Sequence, residues 1–345
     1  MIRTPRIRDT VYVIGAGFSH GCGYPLTSKL LPGVWSRLPN SDRADIESII
    51  QFHYPRFDPA SADTFPNIEQ LITQIAVNLD LFDGSRRYKG RLRKPMLIAA
   101  REALFRGIFD WFHDLYPAAS STPWLEEFVE RVKREQAAII CFNWDLLLDQ
   151  KLWGSGVSAS GYGLTASLVR KGPFILKPHG PLNWYDATEL RTVPPSSRQP
   201  LFRSADGSEE IGAFLHPRPI SSTVGRRYVP LIVTPTYIKD FNRPIYQQIW
   251  KHATDVLSTP KRIVFLGYSL PPDDLQARFI LRCGFHSQLD GPLRRSGRQD
   301  RTGNADVFVV NPLVEVVDRV RQIANDPAKV VHVSRFTSTW TKRLS

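Results

Sequence analysis

Cysteine is scarce in this 345-residue chain: there are three, Cys22, Cys141 and Cys283, far apart in sequence. An odd, scattered count excludes a disulfide frame and argues for a reducing compartment. It also excludes a zinc module built from four cysteines. Long apolar runs are missing too, none approaching the ~18 residues of a membrane span. Acidic residues are in deficit, 33 against 45 Lys plus Arg, a net charge of +12. Part of that excess is clustered at Arg86, Arg87, Lys89, Arg91, Arg93 and Lys94, and at Arg294, Arg295, Arg298 and Arg301. The first cluster holds a single aromatic residue, Tyr88, and the second holds none. Two readings stay open there, solvated loops that attract anions and a nucleic-acid face.

What is present is ordinary for a globular protein: 42% hydrophobic and 23% charged residues. The opening segment carries Arg3, Arg6 and Arg8 ahead of a short apolar run that ends in Gly15-Ala16-Gly17. With no cleavage-like site, it reads as a first strand, and a cytoplasmic location is expected.

Compact apolar runs at Val11–Ile14, Ala137–Phe142, Phe174–Lys177, Pro230–Thr234, Arg262–Leu266, Ala305–Val310 and Val330–Val333 have the signature of strands buried on both faces. Helical spacing dominates Ser41–Glu135, and helices are expected over Ile245–Leu257, Asp273–Cys283, Leu313–Ala324 and at the C-terminal end. This alternation predicts an α/β protein, a Rossmann-like doubly wound parallel sheet in a single domain over 1–345. Two insertions are expected, a helical one at about 41–135 and a polar, Pro-rich one at about 187–228.

In such a sheet ligands bind beyond the carboxyl ends of the strands. The residues there are Gly15-Ala16-Gly17-Phe18-Ser19, Asn143-Trp144-Asp145, Pro178-His179-Gly180, Gly267-Tyr268-Ser269-Leu270 and Asn311-Pro312. Glycines 15 and 17 would let backbone approach a phosphate, with turn N–H groups aimed at the anion. A dehydrogenase would carry an acidic ribose-binding residue ~20 positions on. Trp35–Asn40 offers none, which counts against hydride transfer.

Several of these residues have a plainer reading beside the functional one. Asn143 could be a turn-forming strand end, Asp145 a helix cap, and Ser19 and Ser269 local turn hydroxyls. Asn311 could simply start a helix, and Phe18, Trp144 and Trp184 could be wall or core residues.

Taken jointly, Gly15–Ser19 with Gly23-Tyr24-Pro25, Phe142-Asn143-Trp144-Asp145, Lys177-Pro178-His179-Gly180 leading to Asn183-Trp184, Thr234-Pro235, Gly267-Tyr268-Ser269-Leu270-Pro271 and Asn311-Pro312 resemble the sirtuin-like family. The likeness is to its bacterial NAD-hydrolase branch in anti-phage defence systems, over residues 10 to 320. The chain departs from the family at Trp144, commonly Tyr, at Pro178, commonly Leu, and at Pro181, often Ser. The resemblance implies NAD as substrate, no metal, Asn143 and His179 as the catalytic pair, and nucleotide contacts from Gly15, Ala16, Gly17, Phe18, Ser19, Asp145, Gly267, Ser269 and Asn311. It further implies a homo-oligomer or a partner in trans, a ring ATPase or an Argonaute-type protein, that restrains NAD depletion. Nucleic acid would then be met only through that partner or the basic loops, with no membrane involved. A catalytically silent NAD- or ADP-ribose-binding subunit and a protein deacylase are the rival readings.

Overall fold

The computed structural model describes residues 9–82, 92–154, 158–165, 172–187, 199–213, 231–232, 243–290, 304–335 and 337. Six strands form one parallel sheet: β1 (Thr10–Ile14), β2 (Ala138–Cys141), β3 (Phe174–Leu176), β7 (Arg262–Leu266), β8 (Asp306–Val310) and β9 (Val330–Val333). Their spatial order is β3-β2-β1-β7-β8-β9. Counted along the chain within this sheet that is 3-2-1-4-5-6, the order of dinucleotide-binding sheets. The predicted Rossmann-like α/β fold is therefore observed. Its switch in strand order falls between β1 and β7.

Alternate residues of each strand supply the two faces. Val11, Val13, Ala138, Ile140, Ile263 and Phe265 face a core shared with α8 (Pro244–Leu257) and α9 (Leu275–Asp290). Tyr12, Ile14, Ile139, Cys141, Val264 and Leu266 face α6 (Pro123–Glu135) and α7 (Leu147–Trp153). Helix α10 (Val314–Arg321) bridges β8 to β9.

Three expectations need correcting. The 41–135 block is not one insertion, because α6 packs on the sheet as the helix leading into β2. A separate core joins α2 (Leu30–Trp35), α3 (Asn40–His53), α4 (Ile68–Phe82) and α5 (Lys94–Ser120). Only the amphipathic side of each helix was legible, and which surface covers it was not. Trp144, just past β2, and Leu182 insert into that helical core. Truncating such a tryptophan to alanine costs about 3–5 kcal/mol, so the sheet edge and the helical module are firmly joined.

The Pro-rich stretch, second, is not simply polar loop. β5 (Gln199–Arg203) and β6 (Glu210–Ala213) pair antiparallel, and β6 also pairs with β4 (Trp184–Asp186). Third, Leu231 and Ile232 belong to no strand. The remainder of the expected 230–234 strand, Thr234-Pro235, the C-terminal helix, Arg86–Arg91 and the 294–301 arginines lie outside the described residues.

Candidate functional site

Gly15–Ser19, expected as a loop, opens a five-residue helix, α1 (Ala16–His20), at the end of β1. The glycines here serve contact between strand ends. A Cβ on Gly15 would stand 2.5 Å from Tyr268 Cα, and one on Gly17 2.9 Å from Gly267 Cα. Gly267 itself has φ +60°, which glycine tolerates best. The N–H groups of Gly15, Gly17 and Phe18 donate to Leu266 O, Gly267 O and Gly15 O. These three are thus occupied by protein rather than aimed at an anion. The Phe18 side chain is fully buried against Trp124 and Phe128, on the core side. Its side chain therefore has the core role that was the plainer reading.

Beside α1 the end of β2 delivers Asn143. Its Nδ2 donates to Gly15 O and to Ser19 Oγ, both at 3.0 Å. The Ser19 hydroxyl in turn donates to Asp145 Oδ2 at 2.7 Å. Asp145 Oδ1 accepts the Leu147 N–H at 3.0 Å, capping α7. Asp145 therefore caps the helix, as its plainer reading had it, and also lines a cavity. Burial pushes its carboxyl above the ordinary range, against the opposing pull of Lys177 and the Ser19 hydroxyl.

Lys177 is wholly buried beneath this loop, and no reading of the sequence singled it out as a site residue. Its Nζ lies 2.9 Å from Asp149 Oδ2 and donates to the backbone oxygens of Asp145 (2.8 Å) and Asn143 (3.3 Å). Burial works against the ammonium, but the Asp149 and Asp145 carboxylates prevail and hold its pKa above the usual lysine range. The signal was there in one form: a lysine at the end of a buried apolar strand requires a counter-charge.

Asn143, Asp145, Ser19 and Ala16 line a cavity of about 420 Å³, solvent at its mouth included. Tyr24, Pro25, Thr27, Leu30, Glu69, Phe112, Phe142 and Trp144 complete the wall. The Asn143 carboxamide oxygen accepts no hydrogen bond from the described residues. Glu69, from α4, was also missed by sequence reading, because helical periodicity says nothing of which distant loop a helix end meets.

His179 stands apart from that lining. Its ring packs edge-on against Phe142, centroids 4.9 Å apart, and Phe142 stacks on Tyr268 at 4.3 Å. His179 Nε2 lies 3.1 Å from Asp274 Oδ2, and Tyr268 donates its hydroxyl to the same oxygen at 3.0 Å. Burial and the Asp274 charge hold the Tyr268 phenol well above its ordinary pKa. Asp274 is completely buried and sits just ahead of α9, where sequence reading saw only a helix start. The loop that brings it there carries Leu270 at φ +46°, an unusual conformation for a branched residue. Gly180, next to His179, has φ +68°, and a Cβ there would meet Leu231 O at 2.0 Å.

The remaining candidates are not in the cavity wall. Ser269 is exposed and its carbonyl accepts from Arg319. Asn311 Oδ1 accepts the Leu313 N–H ahead of α10, the helix-starting role. Among the described residues no group of three or more His, Cys, Asp or Glu is placed to hold a metal ion. Nor is any described helix long and apolar enough to cross a membrane.

The chain is similar to known sirtuin structures. One, solved to explain sirtuin substrate affinity, is 15% identical with a TM-score of 0.43, over 97% of this chain and 91% of that one. A Sir2 complex with a p53 peptide and NAD+ is 14% identical with a TM-score of 0.42, over 97% and 91%. A mutant Sir2 homologue bound to ADP-ribose is 12% identical with a TM-score of 0.40, over 97% and 89%. No family model and no curated protein matches the sequence. Likenesses this distant say nothing of activity, and the fold rests on its strand order.

Proposed function

We propose that this protein hydrolyses NAD to nicotinamide and ADP-ribose. One observation carries the reading: at the carboxyl edge of a 3-2-1-4-5-6 sheet, a cavity is walled by Asn143, whose carboxamide is anchored through Nδ2 with its oxygen unengaged. That oxygen is suited to a water or a ribose hydroxyl at the reacting carbon. Nicotinamide leaves its pyridinium form as a neutral molecule, so the leaving group needs no proton donor, unlike the oxygen of most glycosides. His179 is assigned to take a proton from the ribose hydroxyls, through Nδ1, which Asp274 leaves open. Since Phe142 both lines the cavity and packs on His179, the sugar must reach past that ring's edge. The motif resemblance supports a role as an NAD-depleting effector of bacterial anti-phage defence, cytoplasmic and restrained by self-assembly or a partner. Incubation of the purified protein with NAD, followed by chromatography, is expected to yield nicotinamide and ADP-ribose in equal amounts. An absence of both products would defeat the proposal.

A second reading is a subunit that binds NAD or ADP-ribose without cleaving it. The position of His179 outside the cavity wall, with Nε2 3.1 Å from Asp274 Oδ2, favours it. Calorimetric binding of ADP-ribose with no nicotinamide release, even beside a partner, would select this reading.

A further inference from the structure

Helix α9 has two faces with different fates. Its inner face is committed to the fold: Ala277, Leu281 and Phe285 are buried in the core shared with α8, and a Cβ on Gly284 would stand 2.4 Å from Leu257 Cβ. On the outer face Leu275, Phe279, Arg282, His286 and Leu289 are all exposed, recurring at intervals of four, three, four and three residues. That spacing is the seam by which one helix packs along another, and it runs for about 21 Å by the rise of an α-helix. Its apolar members stand well out of the core, Leu275 at 55%, Phe279 at 67% and Leu289 at 54% exposure. Three large apolar side chains left in water on one stripe gain the fold nothing, whereas a helix laid along them would bury them.

Charge decides which helix. Between Leu275 and Leu289 the sequence holds no acidic residue. Arg278 and Arg282 are held by uncharged acceptors: Arg278 Nη2 donates to Gln322 Oε1 at 3.1 Å, and Arg282 Nη1 donates to Ile323 O at 3.3 Å and to Asn325 Oδ1. Among the described residues neither guanidinium meets a carboxylate. Each is anchored through one nitrogen and keeps further N–H donors, so an incoming carboxylate would find the fork already placed. A second copy of this chain does not fit, because any in-register two-fold pairing along the stripe sets Arg282 against its own counterpart. Phosphates would answer the arginines and leave Leu275 and Leu289 in water. We propose that the outer face of α9 docks an acidic amphipathic helix of a partner protein, its apolar residues on Leu275, Phe279 and Leu289 and its carboxylates on Arg278 and Arg282. No α9 residue lines the cavity, and this docking asks nothing of the hydrolase reading.

The test uses the full-length protein and two fluorescent synthetic helical peptides, one with a leucine stripe flanked by glutamates and one with lysines in their place. Polarisation is expected to show micromolar binding of the glutamate peptide and none of the lysine peptide. Phe279→Ala should weaken that binding by about 30-fold while keeping the parent's urea midpoint, since the ring is exposed. Arg282→Ala should weaken it too and flatten its dependence on salt. Failure of the glutamate peptide to bind, equal binding of both peptides, or undiminished binding by Phe279→Ala overturns the proposal. So does a lowered urea midpoint in Phe279→Ala, which would mean that the chain itself covers the ring. Tighter binding of a single-stranded oligonucleotide, lost in Phe279→Ala, would overturn it in favour of nucleic acid. Concentration-dependent dimerisation abolished by Phe279→Ala would overturn it in favour of a second copy.

Discussion

His179 and Asp274 form a buried pair, Nε2 to Oδ2 at 3.1 Å, with the Tyr268 hydroxyl donating to the same carboxylate oxygen. Ninety-five residues separate the two along the chain, and the loops after β3 and β7 bring them together. A carboxylate at that distance holds the Nε2 side of the imidazole and leaves Nδ1 facing away from it.

Asp274→Ala takes the acceptor from Tyr268 and the charge partner from His179 inside the core. Each buried polar group left unsatisfied costs about 1–3 kcal/mol, so urea unfolding should shift to lower midpoints. NAD turnover should fall along with it. Asp274→Asn, which keeps an acceptor oxygen, should recover more stability than turnover. Equal recovery of both would show that the pair is structural only.

For Asn143→Ala the expectation is the reverse. Its side chain borders the cavity, so the fold should persist by circular dichroism while turnover drops by about 10²- to 10⁴-fold, or roughly 3–5 kcal/mol of barrier. His179→Ala should lose turnover likewise, with some loss of stability besides, since it leaves the buried Asp274 carboxylate without its partner. Parental rates from either folded variant would remove that residue from the mechanism.

Lys177→Met strands the Asp149 carboxylate in the core. Breaking a buried ion pair from one side costs about 3–5 kcal/mol, and denaturant titration should register it. Lys177→Met combined with Asp149→Leu should recover much of that loss, because no uncompensated charge remains. The backbone of Asn143 still loses its tether in the double variant, so turnover should stay low. A double variant as unstable as Lys177→Met would refute the ion-pair account.

The thiols give a pH prediction. Burial raises Cys141 and Cys22 from an ordinary value of 9.0 to about 12. Because the folded values lie above the unfolded ones, the stabilisation is fully present below pH 9 and is lost as the pH rises through 12. Over that window stability should fall by roughly 1.4 kcal/mol per pH unit for each thiol. At pH 8 a thiol reagent should spare both until the protein unfolds, while the less buried Cys283 reacts first. Rapid labelling of all three in the native protein would contradict the burial described.

The sheet itself was legible because a parallel strand covered on both faces must be apolar throughout, and Val11–Ile14 or Arg262–Leu266 read as such without any knowledge of neighbours. The strand-end positions of Asn143, Asp145 and His179 followed from the same runs. Local chemistry also offered helix-starting as the plainer reading of Asn311 beside a nucleotide contact, and its Asx side chain does accept from the N–H two residues on.

Sequence alone thus determined the six strands of the parallel sheet and which polar residues stand at their carboxyl ends, for these are properties of short stretches of chain, whereas the antiparallel strands β4 to β6 went unread. Tertiary structure alone decided which of those ends meet. It set His179 on Asp274, buried Lys177 under Asn143, turned Phe18 into the core and carried Glu69 from a helical module to the cavity wall. The reason is physical: contacts between residues tens to hundreds of positions apart depend on how apolar faces pack, and helix or strand periodicity records only that a face exists.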